Sequence, residues 1–481
     1  MTLSLADIYL GLGGRQLPPD PSAVSIDDFV IDSRQATPNS CFIAFVGEHT
    51  DGHLYIDAAI ERGAGVIIAQ HIPAGIQAHA VHPTIDPVPP QTGGVPVIFV
   101  VEDSLAALQQ LAVYWRSRHN PTIIGITGSV GKTSSKELIA AVLRQRYATI
   151  WNEGNLNNEI GLPLTLLRIE TEHEYAVLEM GFYVEGEITQ LCGLAPPQIG
   201  IITNLGPIHL ERAGSMEAIF RGKSELVRAL PHDGCAVLNW DDAWVRRMAD
   251  LSPAPIFRYG LTPESDLWAD KITSAGLEGI RFRFNHRTAS GKIDELHVHL
   301  PLLGQHSVHT ALSAAAAGLL NDLSWEEIII GLKDVEAQLR IEITPGINNS
   351  TLIDDTYNAS PPSTIAALNL LDEMTGRHIA VLGDMLELGS YEQDGHRMVG
   401  RRAADVADIL VAVGQRSRWI AEEAVASGLS VDQVHHTNAI DGATAILKST
   451  IRPGDYVLLK GSRAIGMETL VAKLSIPSAS N

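Results

Sequence analysis

The chain has 481 residues, 45% of them hydrophobic, a length that predicts about three domains rather than one core. Its net charge of -21 comes with no basic run or aromatic-basic stripe, which argues against nucleic acid or an anionic membrane surface as a partner. Cys41, Cys192 and Cys235 stand far apart with no CxxC pair, against both a disulfide framework and a zinc site. The first residues lack a basic stretch followed by an apolar core, and no apolar run approaches the roughly 18 residues that span a bilayer. We therefore expect a soluble, cytoplasmic protein, with a monomer as the default because nothing in the sequence sets an oligomeric state.

Residues 1 to about 100 carry strand-like runs, Cys41 to Val46 and Gly65 to Ala69, around a helix-like segment Tyr55 to Arg62, and predict a small α/β unit. From Ile72 to Pro96 the chain is rich in proline, glycine and histidine without periodicity, which predicts an inserted surface excursion. Leu105, Leu108, Leu111, Ala112 and Trp115 repeat at helical spacing and lead through Asn120-Pro121 into the apolar run Thr122 to Ile126. Further runs at Tyr175 to Met180, Ile199 to Asn204 and Ala236 to Asn239 alternate with helical segments. That is the pattern of a mostly parallel sheet covered on both faces. This stretch closes with the alanine-rich helix around Ala311 to Leu320 and the segment Trp325 to Leu332. Strand candidates Thr351 to Asp354, Ile379 to Leu382, Ile409 to Val413 and Tyr456 to Lys460 then predict a second doubly wound unit. The fold class is α/β in three domains.

Residues 125 to 136, Gly-Ile-Thr-Gly-Ser-Val-Gly-Lys-Thr-Ser-Ser-Lys, lie between a strand and a helix. Glycines let successive backbone N–H groups converge on phosphate oxygens, Lys132 can reach the outer phosphates, and the Thr133 hydroxyl can ligate a magnesium ion. The residue five places before Gly131 is Ile126 rather than glycine, which departs from a standard Walker A loop. Glu179 closes one strand, and His209 closely follows another that ends Thr203-Asn204. Ligands of open α/β sheets bind at such carboxyl ends, and a carboxylate with an imidazole suits Mg²⁺ or Mn²⁺.

The segments Thr-Gly-Ser-Val-Gly-Lys-Thr (127 to 133), Gly-Asn-Leu-Asn-Asn-Glu-Ile-Gly-Leu-Pro (154 to 163), Leu-Glu-Met-Gly (178 to 181) and Thr-Asn-Leu-Gly-Pro-Ile-His-Leu (203 to 210) together resemble the Mur ligases. These are the ATP-dependent amide-forming enzymes of peptidoglycan precursor assembly. Asp354 to Pro361, Leu382 to Gly389 and Lys460 to Glu468 resemble the branch that adds D-alanyl-D-alanine to a UDP-N-acetylmuramoyl-tripeptide. The resemblance implies an N-terminal UDP-sugar-binding domain (1–105), a central P-loop-type ATPase domain (106–332) and a C-terminal Rossmann-like domain receiving the dipeptide (333–481), with a hinge near Leu332 to Arg340.

By the same resemblance, ATP is bound by Thr127, Gly128, Ser129, Val130, Gly131, Lys132, Thr133 and Ser134, with His306, Arg340 and Asp355. Arg340 would reach the γ-phosphate after domain closure, and Asp355 would meet the ribose or a metal-bound water. Metal ligands would be Thr133, Glu179, His209 and Lys223, the last carbamylated by CO₂ within Phe220 to Leu226; Lys132, Glu179, His209, Lys223 and Arg340 would form the catalytic set. The UDP-sugar falls to Ser33, Arg34, Gly47, Asp51, Gly52, His53, Asn157 and Asn158, and the dipeptide to the region of Tyr357, Asn358, Asp384 and Glu387. Ser307 and Thr310 replace two asparagines usual in the family, which implies altered contacts to adenine because one hydroxyl cannot match a bidentate amide. Ser360 replaces a third. A folylpolyglutamate synthase-like ligase and a P-loop switch protein are the alternatives; no Asn-Lys-x-Asp motif supports a guanine-reading switch.

Overall fold

The computed structural model describes residues 3–15, 25–47, 50–86, 95–208, 210–334 and 341–476. The chain falls into two compact units: Met1–Gly125, Tyr147–Gly181 and Glu187–Gln198 form the first, and Ile126–Arg146, Phe182–Gly186 and Ile199–Asn481 the second. The division passes within the strand Thr122–Thr127, after Gly125.

In the first unit, strands Asp28–Val30, Ser40–Ile43, Val66–Ala69, His79–Val81 and Val97–Val100 pair in parallel, with His79–Val81 at one edge of a five-stranded sheet. This corrects the expected excursion over Ile72 to Pro96, since that segment supplies an edge strand. Only three residues long and only partly buried, the strand lacks the continuous apolar run that marks a buried one. Residues 87–94 of the segment lie outside the described residues. Val30, Phe42, Ala44, Ile67 and Ile98 join Ile56 and Ala59, from the helix Ile56–Glu61, in one core. The helix Ser104–Ser117 forms at the predicted spacing, capped by the Asp103 carboxylate on the Leu105 and Ala106 N–H groups, and buries Leu108, Leu111, Ala112 and Trp115. Strands Thr149–Trp151 and Tyr175–Glu179 pair in parallel.

In the second unit, Ile199–Ile202, Cys235–Asn239, Ile256–Gly260 and Leu267–Ser274 run parallel, but Ile280–Arg287 and Ile293–Leu300 continue the sheet antiparallel. The sequence reading did not anticipate this meander. Its signal is period-two alternation: Ile280, Phe282 and Phe284 are buried, whereas Arg281 is exposed and Arg283 lies half-buried between them. A six-stranded sheet follows in the order Glu342–Gly346, Ser350–Asp355, Tyr456–Lys460, His378–Gly383, Ile409–Val413, Val434–Thr437, parallel except for the first strand. Ala380 and Leu382 point into one core, Ile379 and Val381 into another, so helices cover both faces as the doubly wound reading requires.

Candidate functional site

The strand Thr122–Thr127 delivers the chain to a loop shaped by two glycines. Gly128 has φ +150°, and a Cβ there would lie 2.0 Å from Thr203 Oγ1; Gly131, at φ +82°, caps the helix Lys132–Leu143. The loop is laced to the chain after Ile199–Ile202. Thr203 Oγ1 and Asn204 Nδ2 donate to the Val130 carbonyl at 2.7 and 2.9 Å, and Asn204 Oδ1 accepts the Val130 N–H at 2.9 Å. Ser129 N–H donates to the Asn204 carbonyl, and its hydroxyl bonds both N–H and C=O of Gly206. The loop is therefore braced by protein contacts on its far side, and the helix behind it presents the positive end of its dipole.

Lys132 Nζ donates to the Ser129 carbonyl at 3.3 Å. Lys223, buried on the helix Met216–Arg228, donates from Nζ to the Gly128 carbonyl at 2.7 Å beneath the Phe182 ring. Gly222 is needed there, because any Cβ would overlap that ring. The alanine-rich helix Ser307–Leu320 packs beside the loop helix, with Ser313 Oγ 3.4 Å from Ser135 Oγ. The Ser307 hydroxyl donates to the Leu303 carbonyl at 2.6 Å, and the Thr310 carbonyl accepts from Ser313. His306, just ahead of that helix, is solvent-exposed.

Glu179, in the first unit, is only 2% exposed, unlike an ordinary strand-end carboxylate. Asn157 Nδ2 donates to its Oε1 at 2.8 Å, while Asn152 bonds both its backbone N–H and carbonyl. Asn158 Oδ1 instead accepts the Gly161 N–H at 2.9 Å at the start of the helix Gly161–Leu167. The amide-rich loop thus serves to hold Glu179, a role for Asn152 and Asn157 that composition alone does not reveal.

Asp32 takes the Arg34 guanidinium in a bidentate pair, Nε donating to Oδ1 at 2.9 Å and Nη2 to Oδ2 at 2.6 Å, which holds its carboxyl down at about 2; Ser33 between them is buried. Asp51 caps the turn Gly52–Tyr55 and accepts from His53 Nδ1 at 2.7 Å, while His53 Nε2 accepts the Gln70 N–H at 3.0 Å. A side chain at Gly52 would strike the Phe45 backbone, and the Gly47 N–H bonds the Thr50 carbonyl. Asp51, His53 and His71 bring possible metal ligands within 4.8 Å of one another, but the two imidazoles stack 10° from parallel at 4.2 Å, so their in-plane lone pairs cannot converge on one ion. A separate cleft of about 360 Å³ in this unit, between Phe29, Trp151 and Ile169, is lined by none of the candidate residues.

In the six-stranded sheet, Asp355 and Lys460 end adjacent parallel strands, and Lys460 Nζ donates to Asp355 Oδ2 at 2.7 Å and to the Asn358 carbonyl at 2.9 Å. Tyr357 is half-exposed, with the Arg463 guanidinium 5.5 Å from its ring centre. Asp384 is buried; its Oδ1 accepts the Arg416 and Ser417 N–H groups, which ties down the turn after Ile409–Val413. Glu387 sits nearby at φ +63°. Ser360 starts the helix Pro361–Asp372 in a capping box with Ser363. His209, Arg340 and most of the expected hinge, residues 335–340, lie outside the described residues.

A phosphate-shaped loop on a parallel sheet, followed by a second doubly wound sheet, defines a nucleotide-dependent enzyme of two linked α/β folds. Residues 126–318 match the Mur ligase middle domain, 339–463 the Mur ligase glutamate ligase domain and 26–116 the Mur ligase family catalytic domain. The chain belongs to the Mur ligase family and is an ATP-dependent amide-bond-forming ligase. Its relatives include the UDP-N-acetylmuramoyl-tripeptide--D-alanyl-D-alanine ligase of Mycobacterium bovis, 36% identical over 469 residues, 91% of this chain and 89% of the relative. Among solved structures, MurF from Acinetobacter baumannii superposes with a TM-score of 0.81 at 29% identity, covering 98% of each chain. MurF from Thermotoga maritima in complex with ADP superposes with a TM-score of 0.75 at 25% identity, covering 93% of this chain and 96% of that one. Among the described residues, no helix is long and apolar enough to cross a membrane.

Proposed function

We propose that this enzyme joins the amine of D-alanyl-D-alanine to the terminal carboxylate of a UDP-N-acetylmuramoyl-tripeptide, with release of ADP and phosphate, in the cytoplasm. The observation that carries the reading is the 36% identity, over 91% of the chain, to a relative named for that reaction. A carboxylate does not react with an amine at neutral pH. The tripeptide carboxylate would attack the γ-phosphorus of ATP, breaking its bond to the β-γ bridging oxygen and giving an acyl phosphate and ADP. The dipeptide amine would then attack the acyl carbon, lose a proton, and expel inorganic phosphate from a tetrahedral intermediate.

Several anionic groups meet in that sequence, and Lys132 and Arg340 would offset their charge while the loop fixes the phosphates. Magnesium would add Lewis-acid charge stabilisation when bound. Thr133, Glu179 and His209 are the residues we assign to it, a hard-oxygen and imidazole set that suits such a cation. Lys223 cannot ligate a cation as the ammonium that donates to Gly128; as a carbamate, formed from its neutral amine and CO₂ with loss of a proton, it would supply anionic oxygens. Asp355 would meet the ribose of ATP or a metal-bound water, Tyr357 and Asn358 the dipeptide, and Ser33, Arg34 and the Asp51 to His53 turn the UDP-sugar.

The test is product mass after incubation with ATP, magnesium, D-Ala-D-Ala and UDP-tripeptides ending in diaminopimelate or lysine. A pentapeptide product formed only when all substrates are present is expected. Phosphate release that needs neither the UDP-peptide nor the dipeptide would overturn the reading.

A further inference from the structure

We propose that Lys460 is a positioning residue for nucleotide binding: its ammonium fixes the Asp355 carboxylate and the turn through Asn358 in the orientation that meets ATP. The inference rests on the reading of Asp355 as a nucleotide contact and adds a residue that this reading does not use. The strands Ser350–Asp355 and Tyr456–Lys460 run parallel and in register, so that Asp355 and Lys460 are direct partners at the carboxyl ends of both. Ligands of doubly wound sheets gather at that edge.

The Lys460 side chain is 3% exposed and that of Asp355 12%, so the pair is largely removed from water. Desolvating two charges offsets much of their attraction, and a buried ion pair adds little net stability over an apolar pair of similar shape. Its value lies in direction. A lysine ammonium only donates, and here it donates to one carboxylate oxygen of Asp355 and to the backbone carbonyl of Asn358. The carboxylate is thereby held in one rotamer, and the turn from Asp355 to Asn358 is closed across its mouth. Further donors brace the same strand end. Ser462 N–H bonds the Asp384 carbonyl, and Ser462 Oγ accepts the Leu386 N–H.

The experiment compares Lys460→Met, Asp355→Asn and the double variant by steady-state kinetics, ADP titration calorimetry and thermal melting. Lys460→Met should raise the KM for ATP and the ADP dissociation constant about tenfold or more, leaving the KM for the UDP-tripeptide within about twofold. Because the lysine acts through Asp355, the double variant should bind ADP about as weakly as Asp355→Asn alone. A purely structural role would lower the melting temperature and leave ADP affinity unchanged, and that outcome overturns the proposal. So does a double variant whose losses multiply. Should Lys460→Met fail to fold, the uncharged double variant set against Asp355→Asn decides between these outcomes. If Asp355→Asn itself binds ADP normally, the reading of Asp355 fails, and the positioning role falls with it.

Discussion

Replacing Gly128 by alanine tests whether the phosphate loop depends on its backbone shape. The new Cβ would stand 2.0 Å from Thr203 Oγ1, 3.1 Å from Thr203 Cβ and 3.2 Å from the Asn204 nitrogen, at a φ of +150° that L-residues rarely adopt. Backbone strain of this kind costs about 1–3 kcal/mol. Thr203 must also swing away and give up its bond to the Val130 carbonyl, roughly 1 kcal/mol more. The sum, about 2–4 kcal/mol, corresponds to a fall of about 5 to 15 °C in melting temperature for a domain of this size. Because the Val130 carbonyl and N–H are fixed by the same strand end, the loop should lose its geometry with its stability, and the KM for ATP should rise. Circular dichroism melts and coupled ADP-release assays read both effects. Adding Thr203→Ala removes the closest contact and leaves those to Cβ and the Asn204 nitrogen, so the double variant should recover only part of the loss. A Gly128→Ala enzyme with wild-type melting temperature and wild-type KM for ATP would refute the reasoning.

Lys223→Ala should have low activity that small carboxylic acids partly restore, since a free anion can take the place of the carbamate; full activity without additives would remove the carbamate from the mechanism. The Ser307 hydroxyl hydrogen is committed to the Leu303 carbonyl, so its oxygen is left as an acceptor suited to a base amine. Ser307→Asn with Thr310→Asn should lower the KM for ATP with little change for GTP, and equal effects on both nucleotides would show that these positions act through packing. His396 accepts the Met385 N–H at Nε2 and donates from Nδ1 to the Glu392 carbonyl, and burial lowers its pKa from 6.5. The unfolded chain therefore takes up the proton first. The stability this group contributes is present above pH 6.5 and is lost as pH falls below it toward the folded pKa, to be followed by melting temperature and by NMR titration of His396. Titration of His396 at or above 6.5 would contradict this assignment.

Much of the architecture was legible because each buried strand is a continuous apolar run. Thr122–Thr127, Tyr175–Glu179, Ile409–Val413 and Tyr456–Lys460 all form within a residue of where the pattern puts them. The antiparallel strands Ile280–Arg287 and Ile293–Leu300 went unread because arginines and histidines interrupt their apolar residues, although the period-two alternation was there. At the site, the loop from Thr127 to Ser134 carries its own signature in glycine and lysine. The partners that shape it do not. Asn204 is 74 residues from Val130, and Asp355 is 105 residues from Lys460; only strand pairing and strand order bring such residues together. Asn152 and Asn157 looked like loop composition, because an amide's partner cannot be inferred from its spacing.

The C-terminal sheet separates two cores by the thickness of one layer of backbone, Ala380 and Leu382 facing one, Ile379 and Val381 the other. Asp355 and Lys460 belong to neither, since they sit where the strands run out. Substitutions that repack one core need not be answered in the other, and neither kind has to displace the charged pair at the sheet's rim. In this half of the enzyme, drift that tunes stability and selection that guards chemistry can act on different sets of residues.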